Sequence, residues 1–301
     1  LTGMHGHKAA NNCVHDADLI IAVGSRFSDR VTGDRAKYAA GKTVIHIDVD
    51  PAEIDKNVAA RIGLTGDMKT ILGFLCARLT DGGDPAWREQ IAAWQAGDCP
   101  EPAGDRLTAP ALFGEIAAQT AGGEYIFATD VGQHQMWAAQ YLKIETPRTW
   151  LTSGGLGAMG YGLPAAMGAQ FAVPAKRTIH IAGDGGFKMT GAELYTVATH
   201  KLPIISVIVD NSGLGMIRQL QHAFFDKRYT ACQLPAVDFI AFAAAFGVPA
   251  ARADTPAAFA AAFAAALQDP GPRVIVAAIA PEDLVTPMVP PGAAINAYLD
   301  I

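Results

Sequence analysis

Two side chains stand where the sequence is most open to chemistry. Asp184 lies in Gly183-Asp184-Gly185-Gly186, directly after the apolar run Thr178-Ile179-His180-Ile181-Ala182, and Asn211 follows a second run, Ile204 to Asp210. A buried strand that stops at a Gly-Asp-Gly turn carries its carboxylate to the carboxyl edge of a sheet, where doubly wound folds bind ligands. Asn211 comes twenty-seven positions after Asp184, about the length of one strand-helix-strand crossover. The second strand can therefore return beside the first and deliver Asn211 to the same edge. An Asp carboxylate and an Asn carbonyl supply hard oxygens for a small divalent ion such as Mg²⁺, which completes its octahedron with phosphate oxygens and water. The glycines at 183, 185 and 186 let main chain and diphosphate approach closely. A plain Gly-rich turn with Asp184 capping the next helix would use the same residues; the paired Asn211 at crossover distance favours the ligand set.

The elements that must hold these groups follow from pattern. Strand-like runs recur at Tyr125 to Ala128, Thr178 to Ala182, Ile204 to Val209 and Val274 to Ile279, separated by stretches of helical spacing. That alternation predicts an α/β fold with a doubly wound parallel sheet. Thr190-Gly191-Ala192-Glu193 has the spacing of a capping box, with Leu194, Val197 and Ala198 as the apolar face of the helix it would start. Pro256 to Leu267, with Phe259 and Phe263 four apart, predicts an amphipathic helix against the sheet. Upstream, Leu19 to Val23 and Thr43 to Asp48 are two further apolar runs; Gly24 after one and Asp48 ending the next suggest part of a Rossmann-like domain for an adenine dinucleotide. The glycines do not form G-x-G-x-x-G, which weakens the reading of an NAD module. Gly, Pro and Asp dominate residues 81–106 around one helical stretch, Trp87 to Gln95, and predict a linker. The expected division is 1–80, linker 81–106, 107–281, and a C-terminal tail 282–301.

Composition removes other classes. The chain carries 23 Lys and Arg against 29 Asp and Glu, a net charge of −6 with no block of like charge, so a nucleic-acid partner has no electrostatic footprint. Hydrophobic residues make up 50 % and charged ones 17 %, which excludes a disordered chain. The longest apolar stretches, Phe239 to Ala251 and Ala257 to Leu267, fall short of a membrane span of about 20 residues. Cys13, Cys76, Cys99 and Cys232 are widely spaced with no C-x-x-C pair, which argues against a zinc site or a disulfide framework and for a reducing, cytoplasmic setting. Leu1 to Gly6 reads like the interior of a domain, so the sequence is expected to be a piece of a longer chain.

A Gly-Asp-Gly followed by just under thirty residues and an Asn resembles the metal and diphosphate motif of thiamine diphosphate enzymes. The surrounding residues are similar to the carboxyl-terminal half of the acetolactate (acetohydroxyacid) synthase catalytic subunit, over essentially the whole chain. The resemblance implies a metal held by Asp184, Asn211 and the Gly213 carbonyl. It implies a diphosphate further held by Val131-Gly132-Gln133-His134, and a cofactor cradle that includes Gly157, Gly183, Gly185, Gly186, Leu214, Gly215 and Met216. Met159, within Ser153 to Pro164, maps to the bulky wedge that keeps the two cofactor rings in a V. That shape brings the aminopyrimidine nitrogen near the thiazolium carbon, so the cofactor removes its own proton.

The amino-terminal third resembles the FAD-contacting part of the same family's central domain. Gly3, Met4, His5, Gly24, Arg26, Asp48, Val49, Gly66 and Asp67 map to that cofactor, which the resemblance makes structural rather than redox-active. Arg30 maps to the arginine that recognises the carboxylate of the second 2-oxo acid, a task suited to a planar guanidinium; Arg30 as a solvated surface salt bridge is the plainer alternative. Gly215 to Gln221 is similar to G-M-V-R-Q-W-Q, but Leu220 replaces the Trp that shapes the acceptor pocket, which leaves preference for 2-oxobutyrate over pyruvate open. Thr286 to Gly292 resembles a terminal segment that packs over the loaded site, and would equally suit an extended Pro-rich tail.

The implied activity is decarboxylation of pyruvate on thiamine diphosphate and addition of the hydroxyethyl carbanion to a second 2-oxo acid, in branched-chain amino-acid biosynthesis. The implied partners are a second copy in a homodimer or tetramer, a regulatory small subunit, and an amino-terminal pyrimidine-binding domain that carries the activating Glu and is absent from these residues. This chain alone is therefore expected to bind cofactor poorly and turn over little. A sister lyase acting on glyoxylate, an acyl-CoA or sulfoacetaldehyde, an inactive cofactor-binding fragment, and an NAD module are the competing readings.

Overall fold

The computed structural model describes residues 1–80, 82–97 and 104–300. It divides into two compact units, Leu1–Pro100 with Thr286–Ile301, and Glu101–Val285. The division departs from the expected one in two places. The helix anticipated inside the linker, Pro85–Ala96, packs in the first unit against the helix Lys8–Asp16, with Trp87 edge-on to Trp94 at 5.7 Å. Residues from 286 on are not a free tail: Val289 N–H donates to the Met4 carbonyl at 2.8 Å, Asp34 N–H to the Ala293 carbonyl at 2.9 Å, and Met288 and Ile295 are buried. Asp81 and the linker residues 98–103, Cys99 among them, lie outside the described residues; Cys13, Cys76 and Cys232 are free thiols.

The first unit contains three parallel strands in the order β1 (Leu19–Val23), β2 (Thr43–Asp48), β3 (Ile62–Thr65). Its core is small, with Ala22, Phe27, Tyr38, Val44, Val58 and Ile295 packed together. Gly24, Asp48 and Gly66 each stand at the carboxyl end of one of these strands.

The second unit contains six parallel strands: β4 (Tyr125–Thr129), β5 (Trp150–Thr152), β6 (Arg177–Gly183), β7 (Ile205–Asp210), β8 (Ala250–Ala253) and β9 (Arg273–Ala278). Their order is β5-β4-β6-β7-β9-β8. Both faces are covered, because alternate residues feed two cores. Ile179, Ile181, Val207 and Ile275 pack with Phe113, Phe259 and Phe263 on one side, while Ala182, Ile208, Val274 and Val276 pack with Leu163, Phe187 and Phe239 on the other. This explains why the strands read as continuous apolar runs rather than as alternating ones. Thr255 accepts from Ala258 N–H at 3.2 Å and opens the helix Pro256–Gln268, whose Phe259 and Phe263 are fully buried. The capping box at Thr190 does not form. The helix has already begun at Asp184, and Thr190 Oγ1 donates instead to the Gly160 carbonyl at 3.1 Å. Among the described residues, no helix is long and apolar enough to cross a membrane.

The strand order reverses between β4 and β6, since the chain moves outward to β5 and then returns to the far side of β4. That gap between two diverging loops is where a doubly wound sheet leaves a crevice at its carboxyl edge.

Candidate cofactor site

A cavity of about 310 Å³ opens at that edge. All the residues mapped to thiamine diphosphate line it except Asp184, which sits between two that do, Gly183 and Gly185; Met136, Trp137, Val209 and Ile217 complete the wall. Three turns converge there. One leaves β4 as Asp130 to Gly132 and enters the helix Gln133–Tyr141; one leaves β6 into the helix Asp184–Thr190; the third leaves β7 and enters the helix Gly215–Phe224.

Asp184 and Asn211 reach one place because β6 and β7 are neighbours, with Gly183 paired to Val209. Asp184 is 1 % exposed. Its Oδ2 accepts from Lys188 Nζ at 3.2 Å, whereas its Oδ1 is buried with no hydrogen-bond partner. Burial pushes this carboxyl above its ordinary range, helped by the charge of Asp210, while Lys188 and the Gly213 N–H pull the other way. A buried oxygen without a donor is costly, and a divalent cation is the kind of group that relieves it. The 211–213 turn is stapled in place: Leu214 N–H donates to the Cys232 carbonyl at 2.7 Å and Gly213 bridges Gln233. Gly213 has no room for a side chain, because a Cβ would collide with the Cys232 carbonyl oxygen, a contact too close for any other residue.

Met159 projects toward the cavity, its Cε 3.5 Å from where a Cβ on Gly185 would stand. Behind it lies a residue that the motifs do not include, Asp130, 1 % exposed. Its carboxylate accepts from Gly160 N–H at 3.0 Å, Gly162 N–H at 3.1 Å and Val131 N–H at 2.7 Å. With Thr190 donating to the Gly160 carbonyl, Gly160, the residue after Met159, is held at both its main-chain groups. The signal for Asp130 is present in the sequence, since it follows β4 as Asp184 follows β6.

His134 is 4 % exposed and accepts from Gly183 N–H at 3.3 Å, so it ties the β4 turn to the end of β6. Burial lowers its pKa to about 4, against the opposing pull of Asp130. His180 on β6 is lowered to about 4 by the same cause, with Nδ1 3.2 Å from Ser206 Oγ and Nε2 unpartnered. Both imidazoles are neutral near pH 7. The Gln133 carboxamide turns inward to Asn211, Gln219 and the Asp283 carbonyl.

The residues mapped to FAD, together with Arg30, belong to the first unit. Gly3 is held at both main-chain groups by the fully buried Asn11, at 2.8 and 2.9 Å, a residue outside the motif set. His5, beside it in sequence, is lowered to about 4 by burial. Asp67 caps the helix Met68–Cys76 and its pKa is lowered by the bonds from Thr70. Asp48 accepts from Asp50 N–H at 2.9 Å, Val49 is exposed, and the Arg26 carbonyl accepts from Asn57. Arg30 is exposed, forms no ion pair among the described residues, and places Nη1 3.4 Å from Met4 Sδ.

Comparison with known proteins adds to this geometry. Residues 130–277 match the thiamine pyrophosphate enzyme C-terminal TPP binding domain, and residues 1–75 match the central domain of thiamine pyrophosphate enzymes. Over its whole length the chain is 41 % identical to the acetolactate synthase isozyme 2 large subunit of Escherichia coli (strain K12), covering 55 % of that protein. It is 38 % identical over its whole length to a probable acetolactate synthase large subunit of Methanococcus aeolicus, and 42 % identical over 97 % of its length to an acetolactate synthase large subunit of Parasynechococcus marenigrum (strain WH8102), covering 53 % and 48 % of them. The chain spans about half the length of these curated relatives.

Proposed function

This chain belongs to the thiamine pyrophosphate enzymes, of which it carries the central and C-terminal domains, and from that membership we propose that it is the diphosphate-binding half of a carboligase of the acetolactate synthase type. The observation that carries the reading is the buried, unpartnered Asp184 Oδ1 at the end of β6, with Asn211 at the end of the neighbouring strand β7. The residues fit the expected groups. Asp184, Asn211 and the Gly213 carbonyl would hold Mg²⁺, and the turn Val131–His134 with the glycines at 183, 185 and 186 would admit a diphosphate.

When bound, thiamine diphosphate supplies the stabilised carbanion by which pyruvate loses CO₂ and its two-carbon remainder joins a second 2-oxo acid. The chain's part is positioning. Met159, followed by a Gly160 held at both main-chain groups by Asp130 and Thr190, would be the apolar wedge in the cavity. Trp137, Met136 and Ile217 give the cavity an apolar wall. Arg30 would receive the acceptor carboxylate, since its guanidinium has no carboxylate partner among the described residues. FAD would lie along the carboxyl ends of β1, β2 and β3, at Gly24, Asp48 and Gly66, as a structural group.

The relatives named as large subunits support a partnership with a regulatory small subunit and oligomer formation. The test has two stages. Mg²⁺ and thiamine diphosphate added together should quench the fluorescence of Trp137, which lines the cavity, and each alone should do so far less. Supplying the amino-terminal pyrimidine-binding domain should then yield acetolactate from pyruvate. No joint quenching even with the amino-terminal domain supplied would remove the cofactor assignment; quenching without acetolactate would leave a binding domain of other activity.

A further inference from the structure

We propose that Gln219 is a positioning residue for the metal site: acting through Gln133, it fixes which end of the Asn211 amide faces the cation. The proposal rests on the reading of Asn211 as a metal ligand and extends it to a residue that does not touch the metal.

An Asn or Gln side chain presents oxygen at one end and NH₂ at the other, and the two have nearly the same shape. Only the oxygen has a lone pair for a cation, so a flipped Asn211 would turn two N–H groups on the metal. Something must decide the orientation, and here the main chain decides it. Gln219 is fully buried on the helix Gly215–Phe224. Val285 N–H donates to its Oε1 at 2.8 Å, and its Nε2 donates to the Val285 carbonyl at 2.9 Å. A main-chain N–H can only donate and a carbonyl can only accept, which leaves Gln219 one orientation.

Gln133 then meets two acceptors, Gln219 Oε1 at 2.9 Å and the Asp283 carbonyl at 3.0 Å, so its NH₂ must face them. Its Oε1 is thereby turned to Asn211, which answers with Nδ2 at 3.0 Å. Asn211 Oδ1 then has no donor among the described residues, and Asn211 lines the cavity. The relay also accounts for Gly215, where a Cβ would collide with Gln133 Oε1 and stand 2.5 Å from Asn211 Nδ2. Gln219, 4 residues beyond that glycine on the same helix, has a burial and a partner set that packing alone does not require.

Mn²⁺ in the presence of thiamine diphosphate is the probe, with free Mn²⁺ read by its paramagnetic resonance signal. Gln219→Met should weaken Mn²⁺ binding by about tenfold or more, the range lost when an outer partner of a metal ligand is removed. In an Asn211→Asp background the two carboxylate oxygens are equivalent, so the relay has nothing to orient and Gln219→Met should leave the affinity unchanged. Gln219→Glu, whose carboxyl still accepts from Val285 and Gln133, should retain binding and guards against a Met variant that fails to fold. Equal losses in both backgrounds, or no loss in either, would overturn the proposal. All variants are compared with the amino-terminal pyrimidine-binding domain supplied, and absence of Mn²⁺ binding by the unsubstituted chain under that condition would instead remove the metal assignment and the relay with it.

Discussion

Acidification should unfold the second unit through two histidines that the fold keeps neutral. His134 and His180 have an ordinary pKa of 6.5 and a folded value of about 4, in both cases because burial penalises the imidazolium. A depressed folded value means that the unfolded chain binds the proton first. The full stability is therefore present above pH 6.5 and is lost as pH falls through 6.5 toward 4. At pH 5 each histidine costs about 2 kcal/mol relative to pH 7, and the pair about 4 kcal/mol. That is a large share of the 5 to about 15 kcal/mol that hold a typical domain. Asp184 acts with the opposite sign, since its raised folded pKa favours the protonated, folded form on acidification and trims the loss. Urea unfolding at pH 7 and at pH 5 measures the difference directly. His180→Leu supplies the control: it leaves Ser206 Oγ without its partner and costs about 1–3 kcal/mol at pH 7, but only His134 then titrates, so the loss on going to pH 5 should halve. Equal unfolding free energies at the two pH values, or a pH slope undiminished in the variant, would refute the assignment of neutral buried imidazoles.

Three further substitutions probe the site. Asp184→Asn removes a carboxylate whose ionised form the fold disfavours, so the ligand-free melting temperature should rise while Mg²⁺ plus thiamine diphosphate no longer shift it; a retained ligand shift would count against Asp184 as a metal ligand. Lys188→Met strips Asp184 of its counter-charge, and the melting temperature should fall without ligand but recover part of the loss with Mg²⁺ and thiamine diphosphate, because the cation replaces the ammonium. Gly215→Ala forces a methyl against Gln133 and Asn211 and should cost about 1–3 kcal/mol of stability in chemical denaturation; Gly168→Ala, inside the helix Gly162–Ala172 where a Cβ meets nothing within 4 Å, should instead stabilise by about 0.5–1 kcal/mol in the same measurement.

The doubly wound class was legible because parallel strands buried on both faces leave unbroken apolar runs, and Tyr125, Thr178, Ile204 and Val274 each begin within a residue of an observed strand. The strands that escaped notice are short or sit at the margins of their sheets. Trp150–Thr152 has three residues, and Ala250–Ala253 is hidden in the Ala-rich run from Phe239, which Gly247 breaks at φ 73° into a helix and an edge strand. The false capping box at Thr190 shows the limit of spacing rules: the match was real, but the Gly160 carbonyl was the better partner for the hydroxyl. Within the candidate site, Asp184 and its glycines stood out in the sequence because Asn211 follows at crossover distance; a Gly-Asp-Gly turn alone would serve as well to cap a helix. Gln219 gave no signal, since its partner lies sixty-six positions away; Asp130 follows β4 as Asp184 follows β6, but its hold on Gly160, thirty positions on, emerges only in the fold, and the Lys188–Asp184 pair needs the helix to start at Asp184.

The charge inventory of the cavity bears on how an anionic cofactor is held. Among the described residues no group of three His, Cys, Asp or Glu is placed to ligate a metal, so the proposed metal set offers a single carboxylate, which is little for a strongly hydrated divalent ion. The diphosphate finds equally little: His134 is neutral, and the Lys188 ammonium is committed to Asp184. What remains positive are the free N–H groups at the starts of the helices Gln133–Tyr141 and Gly215–Phe224, which meet at the cavity and favour negative charge. Neither half of a metal-diphosphate pair is therefore well served alone. A cation there would need phosphate oxygens to complete its shell and the phosphate would need the cation to offset its charge, so the proposed site would take them as a unit, with the free Asp184 Oδ1 open to the cation while Lys188 stays on Oδ2.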